Sequence, residues 1–253
     1  MENYKVDSKY KRVATLLLNS RTDEDDEFWG WIRKGESPDK KSANKFMLGC
    51  ILDYQIKTDV AWENARRLAE EILGDPDDLW ECIIHNYSES QWMSKKKEYS
   101  LHRFSIAHER VWRIGNDIVN LYEGDARNIW KNPKTSTVLD RLNEMSVGEK
   151  ISQMIVGALY DTGQISEPGD VKADIHVTRV LGRVLVGDKL SPDKAIEITR
   201  EMNPENPWLL DRPLYSIGKE YCKESDPRCH ECYLNNECAF CNNKFNTHLG
   251  ERL

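Results

Sequence analysis

The stretch STVLDRLNEMSVGEKISQMIVGAL, residues 136–159, reads as two helical segments around a very short turn. Val138, Leu139 and Leu142 give the first segment an apolar face. Ile151, Met154, Ile155, Ala158 and Leu159 give one to the second. The turn between them is Met145-Ser146-Val147-Gly148. So tight a connection leaves backbone N–H groups without partners at the start of the second helix. Those groups and the helix dipole suit a phosphate, so Ser146, Val147 and Gly148 are candidate phosphate-binding positions. Lys150 falls in the first turn of the second helix. The positive dipole end there disfavours a protonated amine and favours the neutral, nucleophilic form. The competing reading is an ordinary surface lysine in an αα-hairpin.

Working outward, Asp174 stands just before an apolar helix built on Val177, Val180, Leu181, Val184 and Leu185, with Gly187 as its stop. That position suits a helix N-cap. Upstream, Ala61, Ala65, Leu68, Ala69 and Ile72 follow the helical period, with Thr58 or Asp59 as cap and Gly74 closing the end. Ala107, Val111, Ile114, Ile118 and Leu121 form another stripe that ends before Gly124. Period-two alternation is nowhere sustained, so the expected fold is all-α. The polar residues 34–45 look like a linker, and a break falls at 163–169, where Gly, Ser and Pro cluster.

Near the C-terminus Cys222, Cys229, Cys232 and Cys238 read C-x6-C-x2-C-x5-C. Four thiolates so spaced can hold one soft metal centre, either an iron–sulfur cluster or a tetrahedral zinc. Zinc sites usually come as two short pairs, which favours the cluster here. Nothing at the N-terminus looks like a secretory signal, and Cys50, Cys82 and Cys241 stand singly, which speaks against a disulfide framework. The chain has 253 residues, 39% hydrophobic and 31% charged, and a net charge of −7. No apolar run is long enough to span a bilayer. Acid gathers at residues 23–27 and at Asp75, Asp77 and Asp78, which read as solvated faces. Base gathers at Lys95, Lys96, Lys97 and again at His102, Arg103, His108, Arg110 and Arg113. The distribution of charge bears on a nucleic-acid partner more than the sum does.

The cysteine spacing resembles the [4Fe–4S] loop of the endonuclease III-like helix-hairpin-helix DNA glycosylases. Three further stretches resemble that family in its own order. The hairpin L-P-G-V-G-x-K is matched by Val147, Gly148 and Lys150, with Met145 and Ser146 replacing the proline and first glycine. The segment V-D-T-H-I-F-R-V is matched by Asp174, His176, Arg179 and Val180. The gap from Lys150 to Asp174 is several residues longer than usual, and the surplus falls at 163–169. The segment S-A-Q-A-T-D is matched around Gln55, whose counterpart fills the gap left by an extruded base. The matches run from about Phe46 to Cys238, and residues 1–45 match nothing.

What the resemblance implies is a two-domain helical protein with DNA in the cleft between the domains. One domain is a six-helix barrel, residues 46–164, that contains the hairpin. The other joins residues 1–45 to 165–253 and carries a [4Fe–4S] cluster on the four cysteines. The implied activity is a DNA glycosylase with AP-lyase activity on duplex DNA holding a damaged or modified base. Lys150 would be the nucleophile, Asp174 the charge stabiliser and Gln55 the wedge. His102 and Arg103, in the segment 91–110 that replaces the family's glycine-centred loop, would contact DNA. Trp92 and Phe104 could stack on bases or pack in the core. The adenine-excising branch has a glutamate where this chain reads Leu48, Gly49, Cys50 and Ile51, and it lacks the lysine, which disfavours that substrate. The expected protein is a monomer with no membrane association, cytoplasmic and nucleoid-associated or nuclear. A DNA-binding module without catalysis, or a monofunctional one, is the rival reading.

Overall fold

The structure is a computed structural model that describes residues 2–21, 28–131 and 134–243, excepting the side chains of 2–7 and Phe28. The acidic run at 23–27 lies outside the described residues. Thirteen α-helices follow one another among them: α1 (Glu2–Asn19), α2 (Lys40–Leu52), α3 (Thr58–Arg66), α4 (Leu79–Asn86), α5 (Glu89–Ser94), α6 (Lys96–Tyr99), α7 (Ser105–Tyr122), α8 (Arg127–Trp130), α9 (Thr135–Glu144), α10 (Glu149–Asp161), α11 (Ile175–Leu185), α12 (Pro192–Met202) and α13 (Asp211–Glu220). The fold class is all-α, as expected. A two-residue antiparallel ladder pairs Trp29 with Ile32 and Phe28 with Arg33. The chain divides into two compact units, Asp26–Glu167 and Met1–Asp25 with Pro168–Leu253. No helix of the described residues is long and apolar enough to cross a membrane.

In the continuous unit α2 is the hub. It is buried from Ala43 to Leu52 and packs on α3, α4, α7 and α10. A helix buried all round must be mostly apolar or small, as Phe46, Met47, Leu48, Cys50 and Leu52 are, and its buried Asn44 and Lys45 have polar partners. Gly49 is small for a reason: a Cβ there would lie 2.2 Å from the Trp62 ring. Asp39 caps α2 by accepting from the Ser42 N–H, so the helix begins inside the stretch that reads as a linker. The polarity of that stretch has a use, because Lys40 bonds Glu81 at 2.9 Å, Lys41 bonds Asp75 at 2.8 Å, and Lys45 bonds Glu70 at 3.0 Å and Asp75 at 2.5 Å. The second acidic run is therefore tied to α2 rather than merely solvated. These lysines hold the Asp75 carboxyl below the usual range.

Three other readings need correction. Lys57, not Thr58 or Asp59, is the N-cap of α3, while the Thr58 hydroxyl turns back to Asp53. Past Arg66 the helix widens into a π turn, Arg67–Ile72, that closes before Gly74 at φ +74°. On α7 the apolar stripe stops at Ile118, since Leu121 is 62% exposed.

The discontinuous unit has its own core, in which Val13, Ala14 and Leu17 of α1 join Val177, Val180, Leu181 and Val184 of α11 and Ile198, Leu214 and Ile217. Helix α11 ends as its sequence requires: Gly187, at φ +86°, returns its N–H to the Gly182 carbonyl at 3.0 Å.

Candidate functional site

The hairpin of α9 and α10 is closed by a Schellman motif. The Ser146 N–H reaches the Asn143 carbonyl at 2.8 Å, and the Val147 N–H reaches the Leu142 carbonyl at 3.0 Å. Leu142 and Val147 are both buried, the apolar contact that accompanies such a cap. Ser146 occupies the left-handed position, φ +55°, that glycine usually fills. Gly148, at φ +94°, then starts α10, whose first helical bond runs from the Ser152 N–H to the Gly148 carbonyl at 2.9 Å. The N–H groups of Glu149, Lys150 and Ile151 precede that bond and meet no acceptor among the described residues. Met145 is buried beneath the turn while Ser146, Glu149 and Lys150 are exposed. The Lys150 side chain makes no hydrogen bond or ion pair with the described residues.

Helix α7 reaches this turn from the side. Arg113 Nη2 approaches the Ser146 carbonyl at 3.5 Å, and the Nε atoms of Arg110 and Arg113 are buried without a hydrogen-bond partner among the described residues. Arg110 lies over the Tyr54 ring, 4.7 Å from its centroid. Tyr54 begins the turn that displays Gln55, exposed and at φ +53°. The segment 102–104 is bound to that same turn. His102 Nε2 meets the Tyr54 carbonyl at 2.7 Å, and Arg103 Nη2 donates to the Gln55 carbonyl at 2.5 Å. The Phe104 N–H donates to His102 Nδ1 at 3.0 Å, so Nε2 carries the ring proton and the imidazole is neutral. Burial lowers its pKa accordingly.

The structure thus brings Gln55, His102 and Arg103 together, with Tyr54, Phe104 and Arg110 around them. Arg103 and Phe104 are exposed, and the guanidinium lies over the Phe104 ring at 4.6 Å. His102 is 8% exposed and uses both ring nitrogens internally. Trp92 is core: fully buried, it stacks on His108 at 4.7 Å and donates to the His108 carbonyl at 2.8 Å. Of the lysine run, Lys95 pairs with Glu98 at 2.7 Å. Tyr54 and the Arg113 contact escaped the sequence reading. An aromatic beside Gln55, and arginines three apart on α7, were the available signals.

In the other unit Asp174 is the N-cap of α11. Its Oδ1 accepts from the His176 and Val177 N–H groups at 2.7 and 3.0 Å, and its Oδ2 has no partner among the described residues. Two turns of α11 then hold the cysteine loop. Arg179, 5% exposed, donates to the Cys222 carbonyl at 2.7 Å and the Gly218 carbonyl at 3.0 Å. Arg183 donates to the Lys223 carbonyl at 2.6 Å and approaches Cys222 Sγ at 3.5 Å. Cys222, Cys229, Cys232 and Cys238 line one pocket, together with Val180, Val184, Ile217 and a fifth cysteine, Cys241. The donor set fits a thiolate-bound cluster: four soft ligands at an apolar wall, with an arginine N–H directed at one sulfur. Burial pushes the Cys232 thiol up to about 11 and the Cys238 thiol up as well. No group of three or more side chains among the described residues already converges in a metal-holding geometry. Cys50 is buried in the continuous unit's core, and Cys82 is half-buried.

No family model matches the chain. Endonuclease III of Thermotoga maritima is 24% identical over 170 residues, 65% of this chain and 64% of that protein, so the match spans slightly under two thirds of the relative's length. Solved structures at 14% identity share the fold. A trapped endonuclease III–DNA covalent intermediate, an estranged-adenine complex, matches with a TM-score of 0.60 over 83% of this chain and 88% of its own. A thermostable thymine-DNA glycosylase matches with 0.61 over 93% and 98%. A non-covalent endonuclease III–DNA complex matches with 0.59 over 96% of each chain. Fold and sequence similarity both lead to the endonuclease III-like helix-hairpin-helix proteins, the group that the four motifs resemble.

Proposed function

We propose that this protein is a DNA glycosylase of the base-excision type with AP-lyase activity, acting on duplex DNA that contains a damaged or modified base. One observation carries the reading: an exposed lysine, Lys150, in the first turn of α10, directly behind a turn with free backbone donors. The hairpin N–H groups would bind a backbone phosphate, and Arg113 and Arg110 would add charge beside it. Gln55, displayed on a turn that His102 and Arg103 hold from behind, would fill the space left by the extruded nucleotide.

The Lys150 amine would attack C1′ as the bond to the base breaks, and the base leaves with the electron pair. Asp174 would stabilise the positive charge that builds on the sugar and take the proton the amine sheds. Its Oδ1 is engaged in the helix cap, which leaves Oδ2 for that task. Ring opening then gives a Schiff base, and loss of a C2′ proton expels the 3′ phosphate by β-elimination. Cys222, Cys229, Cys232 and Cys238 would hold a [4Fe–4S] cluster, which supplies a fixed loop and no step of this chemistry.

A non-catalytic or monofunctional DNA-binding protein is the second reading, and Ser146 favours it, since a side chain stands where the family's hairpin has glycine. Borohydride trapping on a panel of abasic and base-modified duplexes separates the two. A covalent complex that needs Lys150 supports the lyase, and none on any duplex leaves the binder.

A further inference from the structure

We propose that Cys241 is a reserve thiolate donor for the cluster, able to take the iron that Cys238 holds. The proposal rests on the reading of the pocket as a [4Fe–4S] site. Four cysteines saturate a four-iron cluster, yet five line this pocket. Cys241 is 3% exposed and lines the same pocket as Cys222, Cys229, Cys232 and Cys238. A solitary buried cysteine is ordinarily a small hydrophobe. This one differs in sharing its pocket with four cysteines spaced as cluster ligands.

The partner it can replace follows from the backbone. Residues 239–243 form a helical turn that starts immediately after Cys238, and the Asn242 N–H donates to the Cys238 carbonyl at 3.1 Å. Cys238 and Cys241 are therefore one turn apart on the same piece of chain, and a small rotation of that turn exchanges their sulfurs. Cys238 Sγ also already turns toward the Arg183 carbonyl, at 3.5 Å. The exchange is a ligand substitution. The Cys238 S–Fe bond breaks with its electron pair on Cys238 sulfur, and the Cys241 thiol gives its proton to that departing thiolate. The Cys241 sulfur donates an electron pair to the vacated iron, with no electron transferred to or from the cluster; where Cys238 is replaced, the proton goes to solvent instead. Cys222 lies on the far segment of the loop and has no such neighbour in the chain, so its loss has no remedy.

The test uses the full chain, purified without oxygen, with iron and sulfide content, the visible absorption of the cluster and circular dichroism as readouts. Cys241→Ser is expected to load as wild type does. Cys238→Ser is expected to keep more than half of the wild-type iron, whereas Cys222→Ser and the double variant Cys238→Ser with Cys241→Ser lose nearly all of it. The proposal is overturned if Cys238→Ser is as empty as the double variant, if the double variant stays loaded, or if Cys241→Ser alone empties the site. Wild-type protein without iron would sink the cluster reading itself, and this inference with it. Should Cys238→Ser fail to fold, Cys238→Asp supplies an alternative iron ligand. Iron-edge absorption then decides between an all-sulfur site, as expected, and a site with one oxygen, which overturns the proposal.

Discussion

At the scale of single residues, Lys150 and Asp174 are separable by substitution. Lys150→Gln is expected to abolish borohydride trapping and strand cleavage while leaving DNA affinity within a few-fold, because the backbone donors of the hairpin remain. Gel-shift and trapping assays on one abasic duplex read both. Asp174→Asn keeps an oxygen for the cap but not the charge, so turnover should fall by roughly two to four orders of magnitude with stability nearly unchanged. Asp174→Ala removes both and should cost about 1 kcal/mol of stability in addition, measured by denaturant melts. The positions of both were legible from sequence, since Lys150 falls in the first turn of a helix and Asp174 at an N-cap. His102 was less so: its sequence neighbourhood is basic, but its ring is enclosed and neutral. His102 and His108 both have pKa values lowered by burial. Their folded forms therefore bind fewer protons than the unfolded chain does. The stability they contribute is fully present above the unfolded pKa of about 6.5 and is lost as pH falls below it. Thermal melts from pH 7.5 to 5 should show that decline, and His108→Gln should flatten it.

At the scale of elements, the hairpin was readable because its two apolar stripes and its short turn admit few alternatives. The turn's internal geometry was not, since a serine in the left-handed region carries no sequence mark. The start of α2 was missed because its first turn is rich in lysine, and the acids that neutralise those lysines lie more than twenty residues away. Pairing over such distances is a tertiary fact. Arg179 and Arg183 illustrate the same limit: Arg179 enters the sequence reading only as a position matching the resembled segment and Arg183 not at all, and both prove to anchor the cysteine loop. Helix α11 also offers a test of packing. A Cβ on Gly182 would lie 2.1 Å from the Asp188 carbonyl oxygen, and backbone cannot swing aside as a side chain can. Gly182→Ala should therefore destabilise by about 1–3 kcal/mol, seen as a lowered melting temperature.

At the scale of the whole molecule, the net charge of −7 would suggest a poor partner for DNA. For the proposed DNA partner local placement matters more than that sum: acid in the α2 region is consumed by its own lysines while Arg103, Arg110 and Arg113 lie near Gln55 and the hairpin turn. DNA binding should fall steeply with salt. Neutralising Lys95, Lys96 and Lys97 together should reduce the slope of log K against log salt by about two to three. An unchanged slope would make that run a solvated loop.

The division of the chain has a further consequence, for the order in which the molecule is made. Val13 and Leu17 of α1 pack against α11 and its neighbours, yet all of residues 26–167 are synthesised between them. At ~5–20 residues per second, α1 waits roughly ten to thirty seconds on the ribosome for its partners. The unit that carries the hairpin is complete in that interval. The cysteine loop emerges later still, so the proposed cluster could assemble only on a chain whose continuous unit is already outside the ribosome.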